Sequence, residues 1–426
     1  MERLIIFIFI FLGIVGAGMC KAQTKTYLNT GTIFCFMWGI TGAFSNTGLY
    51  GMYLPTTIVN IGIVMGILLF GIIYCILSSN IKMNKYYIRK MDCRIRYKLI
   101  NLINISICIY ILPFCIRALY IIKTKGFIYL RAIAGLNSDD LGTTSLSNLI
   151  LFSICYPSII VSCIIGSILF FQGHKEGRKV LIFSFFNLTL YCLTTAARNG
   201  FVTLIIIFIL CYIRYYRTQT KGKVKVKVLT KNQRNLIKII SIVCVMVLLW
   251  ISFERGTSSD NIIKNIYLYH FGGLAYLSQL LENLSSYQIN SVFFCGLSTF
   301  GFVWNLIALP LNQIGFSVIN SDFIINSTLT WRNLIVGEQN LKLNAMSTIF
   351  FPFLMDWGYF GFIIGPILLA IFSYYIDKKA YVSNKIRWHS IEILWLYTIY
   401  RTVFKWNGVS ISFFFMLFFI VIFTKK

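Results

Sequence analysis

The chain has 426 residues, of which 58% are hydrophobic and only 12% charged, whereas an average soluble domain is about a quarter charged. This composition excludes an ordinary soluble globular protein. The net charge of +26 is no nucleic-acid footprint either, because the basic residues are gathered on alternate loops between apolar runs. Seven fall within 82–98, nine within 214–238, three within 175–179 and four within 378–387. With Lys21, Lys25, Lys425 and Lys426, 27 of the 39 basic residues lie on the side expected to be cytoplasmic.

Taken in chain order, apolar runs predict helices over 4–20, 29–47, 55–78, 99–122, 148–171, 180–197, 200–216, 237–253, 348–376, 390–404 and 408–424. The longer of these reach the roughly 20 residues a spanning helix needs. Within lipid a chain must satisfy its own backbone, so each run is helical. Segment 1–20 has the length of a signal peptide, but its charged start (Glu2, Arg3) is weak. No small-x-small cleavage site precedes a soluble domain, so it is read as the first spanning helix. The expectation is an all-α polytopic integral membrane protein of one domain, residues 1–426, with about 11 transmembrane helices. Its N-terminus faces outward and its C-terminus the cytoplasm.

One outward loop, 254–346, is far larger than any other, and 123–147 is a second, smaller one. Segment 291–310 is apolar enough to span. If it did, Lys378, Lys379, Lys385 and Arg387 would face outward, against the charge rule. Segment 291–316 is therefore expected to be re-entrant or interfacial, with an amphipathic helix at 274–281 before it. Most of the twelve cysteines lie inside apolar helices and no CxxC pair occurs, so they read as small apolar fillers.

Topology narrows the chemistry. His174 and His389 fall on cytoplasmic loops, leaving His270 outside. Beyond Glu2, the outward carboxylates are Asp139, Asp140, Glu254, Asp260, Glu282, Asp322 and Glu338, with Asp356 near the outer end of its helix. Arg198 stands in the turn Ala197-Arg198-Asn199-Gly200, where the next helix begins. An arginine, a permissive glycine and a helix N-terminus form a candidate anion site; the alternative is an arginine that snorkels to anchor the helix. Arg255, in Glu254-Arg255-Gly256, either completes a two-arginine clamp or ends its helix locally. Arg117 has the same candidacy, while Arg401 and Lys405 are open to simple snorkelling.

His270 is a candidate general base, or else a histidine hydrogen-bonded within the loop. Asp356, in Asp356-Trp357-Gly358, is an alternative base or fixes an arginine. Asp139-Asp140 is not a DxD motif. No metal-ligand spacing, phosphate loop, GxSxG or dinucleotide fingerprint occurs, so the expectation is metal-free chemistry with no cofactor.

Three segments, with this topology, resemble the Wzy-type oligosaccharide repeat-unit polymerases of bacterial O-antigen and capsule pathways. They are TTAARNGFVTLIIIFILCYI (194–213), ERGTSSDNIIKNIYLYHFGGLAYL (254–277) and NAMSTIFFPFLMDWGYFGFIIGPILLAIFSYYIDKK (344–379). The first is similar to an arginine-bearing turn before an aliphatic helix, and the second to the start of the large loop. The third is similar to a pattern of Asp, Gly and Gly that opens the following helix.

The resemblance implies a fold related to the GT-C glycosyltransferases and an active site on the outer face of the bacterial cytoplasmic membrane. The donor would be a growing glycan on undecaprenyl diphosphate, and the acceptor a sugar hydroxyl on a new lipid-linked repeat unit. Arg198 and Arg255 would hold the diphosphate leaving group, and His270 or a nearby carboxylate would take the acceptor's proton. Segment 291–316 would help seat the polyprenyl chain. Membrane lipid, a flippase and a chain-length regulator are the implied partners, and nucleic acid is not. An O-antigen ligase differs only in its acceptor. A lipid-linked oligosaccharide flippase would show charges along an intramembrane path. A membrane O-acyltransferase would want a histidine within the membrane or a His/Asp pair, and neither is evident.

Overall fold

Long uncharged runs satisfy their own backbone, and the computed structural model makes them helices. It describes residues 2–79, 93–218, 259–284, 295–318, 334–343 and 348–425, with 234, 235, 237, 238, 240–242 and 246. In chain order the helices are α1 (Glu2–Thr24), α2 (Thr30–Ser45), α3 (Thr57–Ser79), α4 (Tyr97–Lys125), α5 (Phe127–Ile133), α6 (Ser145–Ile150), α7 (Tyr156–Phe171), α8 (Lys175–Thr195) and α9 (Asn199–Thr218). There follow α10 (Ser259–Phe271), α11 (Gly273–Leu284), α12 (Gly301–Gln313), α13 (Phe350–Trp357), α14 (Gly361–Val382), α15 (Ile386–Arg401) and α16 (Ile411–Phe423). A π-helical turn, Leu151–Cys155, joins α6 to α7. The predicted helix 237–253 falls almost wholly outside the described residues.

Among the described residues, five helices are long and apolar enough to cross a membrane: Arg3–Thr24, Thr57–Ser79, Tyr97–Lys125, Ser145–Phe171 and Phe350–Val382. The protein is thus mostly helical and membrane-embedded. Helix α12 has 13 residues, a length of about 20 Å against a hydrocarbon core of about 30 Å. It is too short to cross by itself.

Two features depart from the expected pattern. The large loop contains a hairpin of β1 (Leu334–Gly337) and β2 (Leu341–Leu343), paired antiparallel from Leu334↔Leu343 to Gly337↔Leu341. An all-helical reading misses it because its strands are three and four residues long. The predicted helix 348–376 breaks at Gly358 (φ +56°, ψ −146°), a conformation that side chains other than glycine avoid. A Cβ on Gly361 would collide with the Phe353 carbonyl, so that glycine lets α13 pack closely on the start of α14.

The chain forms two compact units. Unit 1 comprises Met1–Tyr86, Asp260–Val382 and Thr398–Phe414; unit 2 comprises Tyr87–Ser259, Ser383–Tyr397 and Phe415–Lys426. The sequence alone predicts one domain and offers no boundary, since each unit is assembled from separated stretches. In lipid, helices associate through close packing and hydrogen bonds rather than through water exclusion. Accordingly, in unit 1 Gly13 of α1 meets Gly39 of α2 backbone to backbone. The core behind them is aromatic: Phe34 stacks on Phe70 with centroids 3.9 Å apart, and Trp38 stands edge-on to Phe350 at 4.8 Å. Such pairs contribute about 0.5–1.5 kcal/mol each beyond their burial.

The ends of each unit sort by side. In unit 1, Asp377 of α14 accepts bonds from Thr30 N (2.9 Å), Thr30 Oγ1 (2.7 Å) and Tyr74 Oη (2.5 Å) at the end expected to be cytoplasmic. The opposite end gathers the outward segments. Ser45 Oγ donates to Phe271 O, Ser278 Oγ accepts from Thr56 N at 2.9 Å, and Thr348 N donates to Phe404 O at 3.2 Å. In unit 2, Arg96 N bonds Phe423 O and Lys425 N bonds Arg94 O, again among segments expected on the cytoplasmic side.

Candidate functional site

The arginine turn of unit 2 is short because α8 ends abruptly. Ala196 takes a left-handed conformation (φ +49°), and Ala197 N bonds back to Cys192 O at 3.2 Å. Helix α9 starts at once: the Arg198 carbonyl accepts from Phe201 N (3.1 Å) and Val202 N (3.3 Å). Arg198 therefore sits immediately before a helix N-terminus, half-buried, where the positive end of the helix dipole lies. Gly200 also has a packing task. A Cβ there would stand 2.6 Å from Cys192 Sγ, so the glycine permits α9 to pack on α8.

Arg117 of α4 belongs to the same end. Ala118 and Ala196, next to Arg117 and two residues before Arg198, are buried in one apolar cluster with Ile121, Phe127, Leu130 and Leu141. The Arg117 guanidinium lies over Gly142 (φ +70°), filling the space a side chain there would take. Nearby, Lys125 Nζ and Tyr129 Oη bond Asp140 Oδ2 at 2.7 and 2.6 Å, and the Lys125 ammonium holds the Asp140 carboxyl below the usual carboxylate range. Thus two of the three arginines singled out in the sequence flank one cluster, at an end that is rich in positive charge. Arg255 lies outside the described residues.

His270 and Asp356 belong to unit 1, and their settings differ. His270 Nδ1 is 2.8 Å from Ile266 O, one turn earlier on α10. A carbonyl only accepts, so Nδ1 carries the proton of the neutral ring and Nε2 is left as the basic atom. The ring stands edge-on to Phe404 at 5.0 Å and is half-buried.

Asp356 is fully buried and its carboxylate is engaged. Oδ1 accepts from Ser298 N (2.9 Å), and Oδ2 from Thr299 N (2.7 Å) and Thr299 Oγ1. Trp406 Nε1 donates to Thr299 O at 2.7 Å, and Cys295 N to Asp356 O at 3.2 Å. The carboxylate thus pins the turn that opens α12. It fixes backbone amides, where the sequence reading had it fix an arginine or act as a base.

Sequence reasoning overlooked one charged pair. Arg214 of α9 and Glu392 of α15, both buried, meet at 2.8 Å, with His389 Nδ1 3.6 Å from Glu392. In the sequence Arg214 opens a run of basic residues expected on the cytoplasmic side; its place one residue before the aromatic pair Tyr215-Tyr216, still inside an apolar helix, is the available signal. No group of three or more potential metal ligands occurs among the described residues.

No protein-family model, curated protein or solved structure matches this chain.

Proposed function

We propose that this protein is a membrane-embedded glycosyltransferase that joins polyprenyl-diphosphate-linked oligosaccharide repeat units into O-antigen or capsular polysaccharide. The observation that supports the reading is that Ala118, next to Arg117, and Ala196, two residues before Arg198, are buried in one apolar cluster at the end of the helices expected to face outward. Arginine is the side chain that grips phosphate oxygens with two parallel bonds, and a helix N-terminus beside it adds positive potential.

In the reaction the acceptor hydroxyl oxygen bonds to the anomeric carbon of the donor sugar. The bond from that carbon to the diphosphate oxygen breaks, and the polyprenyl diphosphate leaves with the electron pair. Arginines stabilise the charge developing on that oxygen. The acceptor's proton passes to a general base. No metal ion enters these steps.

The test is the size distribution of surface polysaccharide after deleting the gene. Collapse to single lipid-linked repeat units exposed outside supports the polymerase. Full polymer accumulating on its lipid carrier makes the protein a ligase instead, with the same donor chemistry and another acceptor. A second reading, a lipid-linked oligosaccharide flippase, is favoured by the buried Arg214–Glu392 pair, since ionisable groups within membrane helices mark transport paths. It predicts repeat units trapped on the cytoplasmic face.

A further inference from the structure

At the outward end of unit 1, three residues other than glycine share one patch and hold left-handed backbone: Tyr50 (φ +61°), Gln339 (φ +53°) and Asn340 (φ +57°). Such conformations are sparsely populated and persist where the surroundings impose them, most often at ligand sites. The hairpin brings the three together. Gly337 bridges Met52, Tyr53 N donates to Val336 O at 2.8 Å, and Glu338 N donates to Gly51 O at 2.8 Å.

Gln339 and Asn340 are the two central residues of the hairpin turn, closed by Leu341 N to Glu338 O at 3.1 Å, and such turns demand positive φ at both. Tyr50 and Gly51 are likewise the two central residues of a turn, closed by Met52 N to Leu49 O at 3.4 Å, and glycine or asparagine would suit the first of these positions better than tyrosine. What the tyrosine adds is its ring. It stands edge-on to Tyr267 at 5.3 Å and stays 45% exposed. Beside it, Glu338 Oε2 comes within 3.5 Å of the place a Cβ on Gly51 would take, and Glu338 makes no ion pair among the described residues.

We propose that Tyr50, Glu338, Gln339 and Asn340 form a subsite for a sugar ring of the oligosaccharide, an inference that rests on the glycosyltransferase reading. A pyranose presents a face of C–H groups and a rim of hydroxyls. An exposed aromatic face packs against the first. A carboxylate or side-chain amide, with two polar atoms in one plane, bridges neighbouring hydroxyls of the second. One carboxylate and two neutral amides suit a polyol and repel a diphosphate, so the patch takes a glycan ring.

The probe is the lipid-free oligosaccharide released by mild acid from the repeat units that deletion cells accumulate. It is mixed with the full-length protein in detergent and followed by saturation-transfer NMR. Tyr50→Gly removes the ring while relaxing the backbone, so this variant is expected to fold and melt no lower than wild type. Its affinity for the probe is expected to fall roughly tenfold, with shortened polymer in complemented cells, while Tyr50→Phe behaves as wild type. Equal binding and full-length polymer with Tyr50→Gly overturn the subsite. Deletion cells that keep full-length polymer and accumulate no repeat units overturn the reading beneath it, and the subsite with it.

Discussion

The ends of the two units that are expected to face outward handle charge in opposite ways. In unit 1 the carboxylate of Asp356 is buried, and backbone amides and a hydroxyl satisfy it. In unit 2, Arg117 and the Lys125–Asp140 pair are exposed and Arg198 is half-buried. A buried charge that is fully matched holds shape; a charge within reach of solvent can exchange its partners. The contrast separates residues that look equally suggestive in sequence.

Five substitutions at four positions probe the contrast, beginning with the largest effect. Asp356→Ala strands two buried amides and a hydroxyl, at about 1–3 kcal/mol for each unsatisfied group, so a loss of roughly 3–9 kcal/mol is expected in thermal unfolding of the detergent-solubilised protein. A variant that melts normally but is inactive would return Asp356 to the catalytic list.

Arg198→Ala is expected to do the reverse. Polymer formation falls about 10²–10³-fold, as for loss of one group that stabilises developing negative charge. Stability changes by less than about 0.5 kcal/mol. Arg198→Lys recovers only part of that activity, because lysine keeps the charge and loses the fork. Full activity with lysine reduces Arg198 to a point charge.

Gly361→Ala forces a methyl against the Phe353 carbonyl, an overpacking that costs about 1–3 kcal/mol. It is read in the same melts, and an unshifted melt removes the close approach of α13 to α14. The smallest effect concerns Asp140. Its folded pKa is depressed, so its contribution is present above the unfolded value and is lost as pH falls through the folded one, below about pH 4. Asp140→Asn is expected to match wild type in that acid range and to melt slightly lower at neutral pH. An acid-range difference between them would contradict the pairing with Lys125.

Much of the fold was legible because lipid leaves a chain few options. The apolar runs had to be helices, and the lysines and arginines marked which ends lie together. The hairpin at 334–343 escaped notice because its strands are too short for periodicity to register. The break at Gly358 escaped because an apolar run continues across it. At the candidate site, Arg198 was legible from its turn, since a charge between two apolar helices is costly to keep. Asp356 was conspicuous too, but its partners Ser298 and Thr299 lie 58 and 57 residues away in sequence, and no local pattern announces them. The partnership of Arg214 with Glu392, 178 residues apart, was hidden for the same reason.

The tie between Thr30 and Asp377 also sets a schedule for the newborn chain. These residues are 347 positions apart, and at a synthesis rate of about 5–20 residues per second the ribosome needs roughly 20–70 seconds to travel from one to the other. Throughout that interval α2 is already made while its polar N-terminal amide and hydroxyl await their acceptor. Translation that stalls before residue 377 therefore yields a chain whose early helices can insert but cannot lock. Such a product displays an unfinished helix end to the cell's membrane quality-control machinery.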